Sequence, residues 1–375
     1  MKMLVTFRLS TLGFGGTERV FLSVADSLSS TYGWSVDFVV DKITGNGTEQ
    51  VAIANGYSVV SLGMPCTWKT IFPFSQYLKE RRPDIVISAY TETNAAALIS
   101  NAVNGFRTTV IVTEHAPLDE HWAGKPWMRR MMLEFMVRYV YKLAGHVMCV
   151  SRGMAEQLGK RLKHRSISYI HNPVRFSSRT QTKAQARDML GIRHDIHMII
   201  AVGRICQAKN YLMLLRAFKS IATENKTHLY IVGGIFEVSE ELKLRRFIEE
   251  NNIGEYVHFI GFTHELYVYY EAADLLVLSS AWEGFGNVLV EALAFGLPIV
   301  SSRCNYGPAE ILADGEFGVL VDVNDHLSMG RAIQQVLAQN NFDPERQIQH
   351  AKSFSEQRIG AAYQKMICEA KGSIA

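Results

Sequence analysis

Strand-length apolar runs alternate with helix-patterned segments twice along this 375-residue chain, and that alternation restricts the fold more than any other feature. Met3–Phe7, Ser35–Val40, Tyr57–Leu62, Asp84–Ala89, Thr108–Thr113 and His146–Val150 each read as short buried strands. Helical patterns lie between several of them, as over 17–29, where Val20, Phe21, Val24, Ala25 and Leu28 share one face. Strands separated by helices pair in parallel, with the helices covering a doubly wound sheet. After Ser168-Tyr-Ile-His-Asn-Pro-Val174 the composition turns polar and loses its periodicity at 175–183, which marks a linker. A second series follows: Met198–Val202, His228–Val232, Val257–Ile260, Asp274–Leu278, Pro298–Ser301 and Gly318–Val321. The expected class is therefore α/β, with two Rossmann-like doubly wound domains facing a cleft. The first spans 1–174 and the second 175–353; a terminal helical stretch, 354–375, is free to cross back to the first domain. The length agrees, because it exceeds what one ordinary core supports.

Composition removes several classes of protein. Apolar residues at 48% and charged residues at 20% describe a soluble globular chain. No apolar run approaches the roughly 18 residues that span a bilayer. MKMLVTFRLS at the start reads as a first strand, not a signal peptide. The five cysteines (Cys66, Cys149, Cys206, Cys304, Cys368) are scattered and odd in number, which implies neither a disulfide framework nor a zinc site but a reduced, cytoplasmic compartment. Net charge is only +3, yet 124–166 holds ten Lys/Arg against Glu134 and Glu156. Trp122, Trp127, several methionines, Phe135 and Tyr139 are interleaved with those charges. Two readings stand: a helix lying on an anionic membrane surface, or a core helix with a solvated basic face. Nucleic acid is disfavoured, since no binding motif accompanies the charge.

The chemistry concentrates in AWEGFGNVLVEALAFGLPIVSS, where Glu283 and Glu291 stand eight residues apart. Glu283 precedes the turn Gly284-Phe285-Gly286, a helix opens at about Asn287, Glu291 follows in its early turns, and Gly296-Leu297-Pro298 closes it. Carboxylates accept from hydroxyls, while a Gly-rich turn and a helix N-terminus offer N–H groups to phosphate, so a phosphorylated polyol suits the segment. Val288, Leu289, Ala292, Leu293 and Phe295 make that helix apolar on most sides, so Glu291 requires a partner. Earlier, Gly203-Arg204 closes a strand and Lys209-Asn210 opens the next helix. A guanidinium fork and an ammonium at a strand's C-terminal edge can hold a diphosphate, each contact worth roughly 1.5–3 kcal/mol.

In the first half, Gly13-Phe14-Gly15-Gly16-Thr17-Glu18-Arg19 follows the first strand, but Arg19 stands where a dinucleotide fingerprint has its third glycine. Asp37 and Asp41 are the only ribose candidates in that unit, so a nicotinamide cofactor is disfavoured. His115, at a strand end in Thr-Glu-His-Ala-Pro, is a catalytic candidate beside Glu283, able to hydrogen-bond a sugar hydroxyl or stabilise developing charge, with a satisfied structural histidine as the rival; His171 reads as linker architecture. There is no D-x-D; Asp322 and Asp325 are one residue too far apart, so no metal is expected and a departing diphosphate falls to Arg204, Lys209 and helix N-termini.

With these pieces the chain resembles the family-4 retaining glycosyltransferases of the GT-B fold. The resemblance rests on Gly-Gly-Thr-Glu-Arg (15–19), Glu-His (114–115), His-Asn-Pro (171–173), Gly-Arg with Lys-Asn (203–204, 209–210), Gly-Phe (261–262) and Glu-Gly-Phe-Gly-Asn with Glu-Ala (283–287, 291–292). It implies that Glu283 contacts the transferred sugar, Glu291 the ribose, and Arg204 and Lys209 the diphosphate. It also implies that Gly16 admits the donor, that residues around Phe262 hold the base, and that His115 sits near sugar and acceptor. Domain closure would then exclude water. The stretch 301–312 looks like that of bacterial members using UDP-Gal, UDP-GalNAc or UDP-GlcNAc. Many of these extend lipid-pyrophosphate-linked O-antigen, capsule or lipopolysaccharide precursors, which implies a peripheral position at the cytoplasmic membrane face through 124–166. No carboxylate is identifiable as a nucleophile, so front-face departure is the preferred mechanism, with a covalent intermediate as its rival. The competing functions are a UDP-sugar 2-epimerase and a non-catalytic sugar-nucleotide-binding protein.

Overall fold

The computed structural model describes residues 3–13, 15–45, 47–162, 166–175, 180–222, 226–339 and 342–372. Phe14 of the glycine loop, Lys163 and Arg165 of the basic segment, and 176–179 of the linker lie outside the described residues. The chain divides into two compact units, Met1–Arg175 with Phe354–Ala375, and Phe176–Ser353.

The first unit is built on a seven-stranded parallel sheet, β1 (Leu4–Leu9), β2 (Ser35–Val40), β3 (Ser58–Ser61), β4 (Ile85–Ala89), β5 (Thr109–Glu114), β6 (His146–Cys149) and β7 (Ile167–Tyr169). They lie in the order β3-β2-β1-β4-β5-β6-β7. Six strands match the expected runs within two residues or so at each end. β7 was not expected, because its three residues are too few for a periodicity. The strand at β5 also runs one residue further than expected, through Glu114. The helix expected over 17–29 spans Gly16–Tyr32 and stops where Gly33, at φ +66°, turns left-handed, the Gly33 N–H donating to the Ser29 carbonyl and the Trp34 N–H to that of Leu28. Its apolar face meets the helix Glu356–Gly372, whose Ile359, Tyr363, Met366 and Ile367 are buried in the same core. Each such side chain contributes roughly 1.5–3 kcal/mol through burial. Gly360 sets the closeness of the two helices, because a Cβ there would lie 1.9 Å from the Ser27 hydroxyl. Lys371 adds an ion pair with Asp84 at 2.6 Å. The terminal stretch is thus part of the first unit's core, and the boundary falls one residue after 174.

The second unit holds a six-stranded parallel sheet: β8 (His197–Val202), β9 (Thr227–Val232), β10 (Val257–Gly261), β11 (Leu275–Leu278), β13 (Ile299–Ser302) and β15 (Val319–Val321). Its order is β10-β9-β8-β11-β13-β15. Two further strands, β12 (Trp282–Glu283) and β14 (Asn305–Tyr306), pair in parallel outside it. They were not foreseen, since two residues carry no pattern.

The helix Trp127–Tyr139 buries only Leu133, Met136 and Val137, so most of its apolar residues lie outside the core. Trp127 and Met128 are 69% and 68% exposed, and Met131, Phe135 and Tyr139 are exposed as well. No helix among the described residues is long and apolar enough to cross a membrane.

Candidate functional site

In each sheet the winding reverses at one place, between β1 and β4 in the first unit and between β8 and β11 in the second. Doubly wound sheets bind ligands beyond the carboxyl ends of the strands flanking that reversal. The chain following β8 is Gly203 to Lys209, and the chain following β11 is Ser279 to Glu283.

These two segments are tied together. Ala281 N–H donates to the Ala208 carbonyl at 2.8 Å, and the Ser279 hydroxyl to the Lys209 carbonyl at 2.8 Å. Lys209 Nζ reaches Glu283 Oε1 at 2.6 Å, and the Ser280 hydroxyl donates to the same oxygen at 2.7 Å. Ser302 in turn holds the Ser280 carbonyl at 2.6 Å. Glu283 Oε2 keeps no hydrogen bond among the described residues and remains available to a ligand hydroxyl. Lys209 takes this path because residue 203 is glycine: a Cβ there would lie 2.6 Å from Lys209 Cε. The Tyr211 hydroxyl donates to the Gly203 carbonyl at 2.9 Å.

Sequence reasoning assigned Lys209 to a diphosphate and Glu283 to a sugar as separate tasks; the structure joins them in one ion pair, with side chains only 18% and 14% exposed. Ser280 and Ser302 were missed, since a serine beside a strand end carries no signal of its own. Arg204 is exposed, its guanidinium 4.5 Å over the Phe236 ring, and it has no carboxylate partner among the described residues.

The helix Asn287–Ala294 begins after buried Gly284, Phe285 and Gly286, the last at φ +104°. Behind this turn passes Gly307, where a Cβ would stand 1.7 Å from the Phe285 carbonyl oxygen, so no larger residue fits. The partner that Glu291 requires is the Tyr270 hydroxyl, donating at 2.6 Å, with Tyr270 stacked on Phe295 at 5.4 Å. Phe262, at the end of β10, is half exposed and meets His264 edge-on at 4.9 Å.

In the first unit Gly15 caps the helix Gly16–Tyr32, whose exposed first residue is Gly16. The Glu18 carboxylate lies against Gly15, so that a Cβ at 15 would meet it at 2.2 Å. The two ribose candidates are committed elsewhere. Asp37 is buried and bound by Tyr77 at 2.8 Å and Arg81 at 2.7 Å, and Asp41 pairs with buried Arg8 and accepts from Thr67. Asp325 caps the helix His326–Gln339 through the Ser328 N–H at 2.9 Å.

His115 follows β5. Its Nε2 is 2.9 Å from the Thr113 hydroxyl, and its Nδ1 is buried with no partner among the described residues. Phe21 meets the ring edge-on at 5.5 Å. Burial pushes its pKa down to about 3, so the imidazole is neutral at pH 7. Its neighbour Glu114 points into the sheet's other face, where Tyr141, Thr91 and Asn94 donate to it. Burial nevertheless raises its pKa to about 7, and these bonds only partly oppose that.

Two parallel α/β units, each presenting polar side chains at its winding reversal, define a GT-B protein. The family model for glycosyl transferases group 1 matches residues 182–354, and that for glycosyltransferase family 4 matches residues 14–177. The chain is 23% identical, over 99% of its length and 100% of the relative's, to a Campylobacter jejuni protein. That relative is named GalNAc-alpha-(1->4)-GalNAc-alpha-(1->3)-diNAcBac-PP-undecaprenol alpha-1,4-N-acetyl-D-galactosaminyltransferase. Among solved structures, sucrose-phosphate synthase from Thermosynechococcus elongatus superposes with a TM-score of 0.84 at 19% identity, covering 99% of this chain and 100% of that one. Anabaena HepE in complex with UDP gives 0.81 at 16% identity, over 98% and 100%. The chain is a glycosyltransferase, with a glycosyltransferase family 4 domain followed by a glycosyl transferases group 1 domain.

Proposed function

We propose that this protein transfers a hexose or N-acetylhexosamine from a UDP-sugar (UDP-GalNAc, UDP-Gal or UDP-GlcNAc) with retention of the α configuration. The acceptor is a lipid-pyrophosphate-linked or oligosaccharide chain of a bacterial surface glycan. One observation carries the reading: Glu283, held through Oε1 by Lys209 and Ser280, presents at the winding reversal of the second unit an Oε2 with no hydrogen bond among the described residues, and Arg204, with no carboxylate partner among them, stands on the same β8 exit. The carboxylate suits sugar hydroxyls; the two cations suit a diphosphate. Glu291 is assigned to the ribose, residues around Phe262 to the base, and Gly16 and His115 to the donor and acceptor sugars. The name of the Campylobacter relative, with its undecaprenol-linked substrate, supports the acceptor class.

In the proposed front-face reaction the bond from C1 to the diphosphate oxygen breaks and a bond from the acceptor hydroxyl oxygen to C1 forms on the same face. The hydroxyl proton passes to the departing phosphate. Arg204, Lys209 and helix N-terminal N–H groups neutralise that phosphate without a metal. The exposed apolar face of Trp127–Tyr139, ringed by Arg130 and Lys142, would place the protein on an anionic membrane, at the cytoplasmic side. Arg129 is a weaker contributor because Glu92 holds it at 2.9 Å.

A UDP-sugar panel with a lipid-pyrophosphate sugar acceptor tests the proposal through product mass and anomeric configuration. Glu283→Ala and Lys209→Ala should each lower transfer sharply while the fold survives; near-wild-type transfer by either counts against the site. UDP release with an altered free sugar and no transfer would point to an epimerase instead.

A further inference from the structure

We infer that Thr113 is a positioning residue: its hydroxyl locks His115 as the Nε2–H tautomer, leaving Nδ1 as an acceptor for one substrate hydroxyl. The argument is a proton count. A threonine hydroxyl carries a single proton. Thr113, fully buried on β5, donates that proton to the Ser88 carbonyl of β4 at 2.8 Å. Toward His115 Nε2, at 2.9 Å, its oxygen therefore accepts, and Nε2 must carry the hydrogen. A neutral imidazole has one N–H, so Nδ1 holds a lone pair. That atom is buried and has no hydrogen-bond partner among the described residues, an arrangement that costs free energy unless a ligand supplies a donor.

The ring has little freedom to escape this role. Phe21 meets it edge-on at 5.5 Å and Tyr90 lies 6.4 Å away at a tilt. Phe21 belongs to the helix after β1, Tyr90 follows β4 and His115 follows β5, so three neighbouring strand exits frame it. An acceptor nitrogen selects a hydroxyl or amide N–H and rejects phosphate and carboxylate oxygens. His115 is then a reader of one hydroxyl, not an acid and not a partner of the diphosphate. This rests on the transferase reading only for the identity of the hydroxyl's owner.

The tautomer is measurable without turnover, by 15N-histidine NMR of the full-length protein at pH 7, with His115 assigned through His115→Gln. A neutral Nε2–H signal in the wild type and in Thr113→Ser is expected; an Nδ1–H or a charged ring in the wild type overturns the inference. Kinetically, Thr113→Ser should keep kcat/KM within about threefold, while Thr113→Val should lower it roughly tenfold or more. Wild-type kcat/KM in Thr113→Val overturns the inference, and so does failure of serine to retain activity. Deoxy UDP-sugars and deoxy acceptors identify the owner: the penalty of His115→Gln should vanish with the one analogue lacking the contacted hydroxyl. Persistence of the penalty across both sets overturns the assignment. If no UDP-sugar is transferred by the wild type, the transferase reading fails while the NMR result still judges the lock.

Discussion

Removing the Ser280 hydroxyl isolates what holds Glu283 in place. Two donors converge on Glu283 Oε1, Lys209 at 2.6 Å and Ser280 at 2.7 Å. A hydrogen bond to a charged group is worth roughly 1.5–3 kcal/mol, which corresponds to about a 10- to 150-fold change in rate if the carboxylate must keep its orientation in the transition state. Ser280→Ala should therefore lower kcat/KM within that range. It should also cost the second unit a few degrees in Tm, on the order of 2–4 °C per kcal/mol for a unit of this size. Lys209→Met should cost more, because it leaves a largely buried carboxylate with one neutral donor. Since both donors serve one oxygen, the double variant should lose less than the two single losses added, with a coupling of about 0.5–3 kcal/mol. Steady-state UDP release and thermal denaturation of the four proteins measure this. Strict additivity, or wild-type kcat/KM in Ser280→Ala, would refute the claim that these groups orient Glu283.

Other outcomes follow from the same structure. Glu114 keeps its proton to about pH 7 when folded and loses it near pH 4.5 when unfolded, so its contribution falls as pH rises through that window, by roughly 3 kcal/mol. His115 acts oppositely: the unfolded chain takes up a proton near pH 6.5 that the folded chain refuses until about pH 3, so stability is lost on acidification across that range. In urea titrations at a series of pH values, Glu114→Gln should gain on the wild type between pH 4.5 and 7, and a flat difference would exclude the assigned shift. Gly360→Ala should destabilise the first unit by about 1–3 kcal/mol through a clash with Ser27, and Ser27→Gly should recover part of it. Replacing Trp127 and Met128 by Ser, or Arg130 and Lys142 by Gln, should weaken sedimentation with anionic liposomes while leaving far-UV circular dichroism unchanged. Transfer should be insensitive to a chelator; inhibition by EDTA reversed by a divalent cation would refute metal independence.

What the sequence determined by itself was everything that repeats or depends on near neighbours. Periodicity located twelve of the strands, because a buried parallel strand must be continuously apolar and the helix after it must bury one face. Glycine placement located the turns at 203 and 284–286, since those backbone paths exclude a Cβ or need a positive φ. Two-residue strands such as β12, and the three residues of β7, left no trace, as register alone makes them strands.

Only the tertiary structure decided which side chains meet. Lys209 and Glu283 are 74 positions apart, and Tyr270 and Glu291 are 21 apart, so neither pairing leaves a local mark. Asp37 and Asp41 resembled ribose ligands by position until Tyr77, Arg81, Thr67 and Arg8 proved to occupy them. For Trp127–Tyr139, pattern could show an amphipathic basic helix but not whether another element covers its apolar face. Burial belongs to the packed chain, and here the packing leaves Trp127, Met128 and Phe135 in the open.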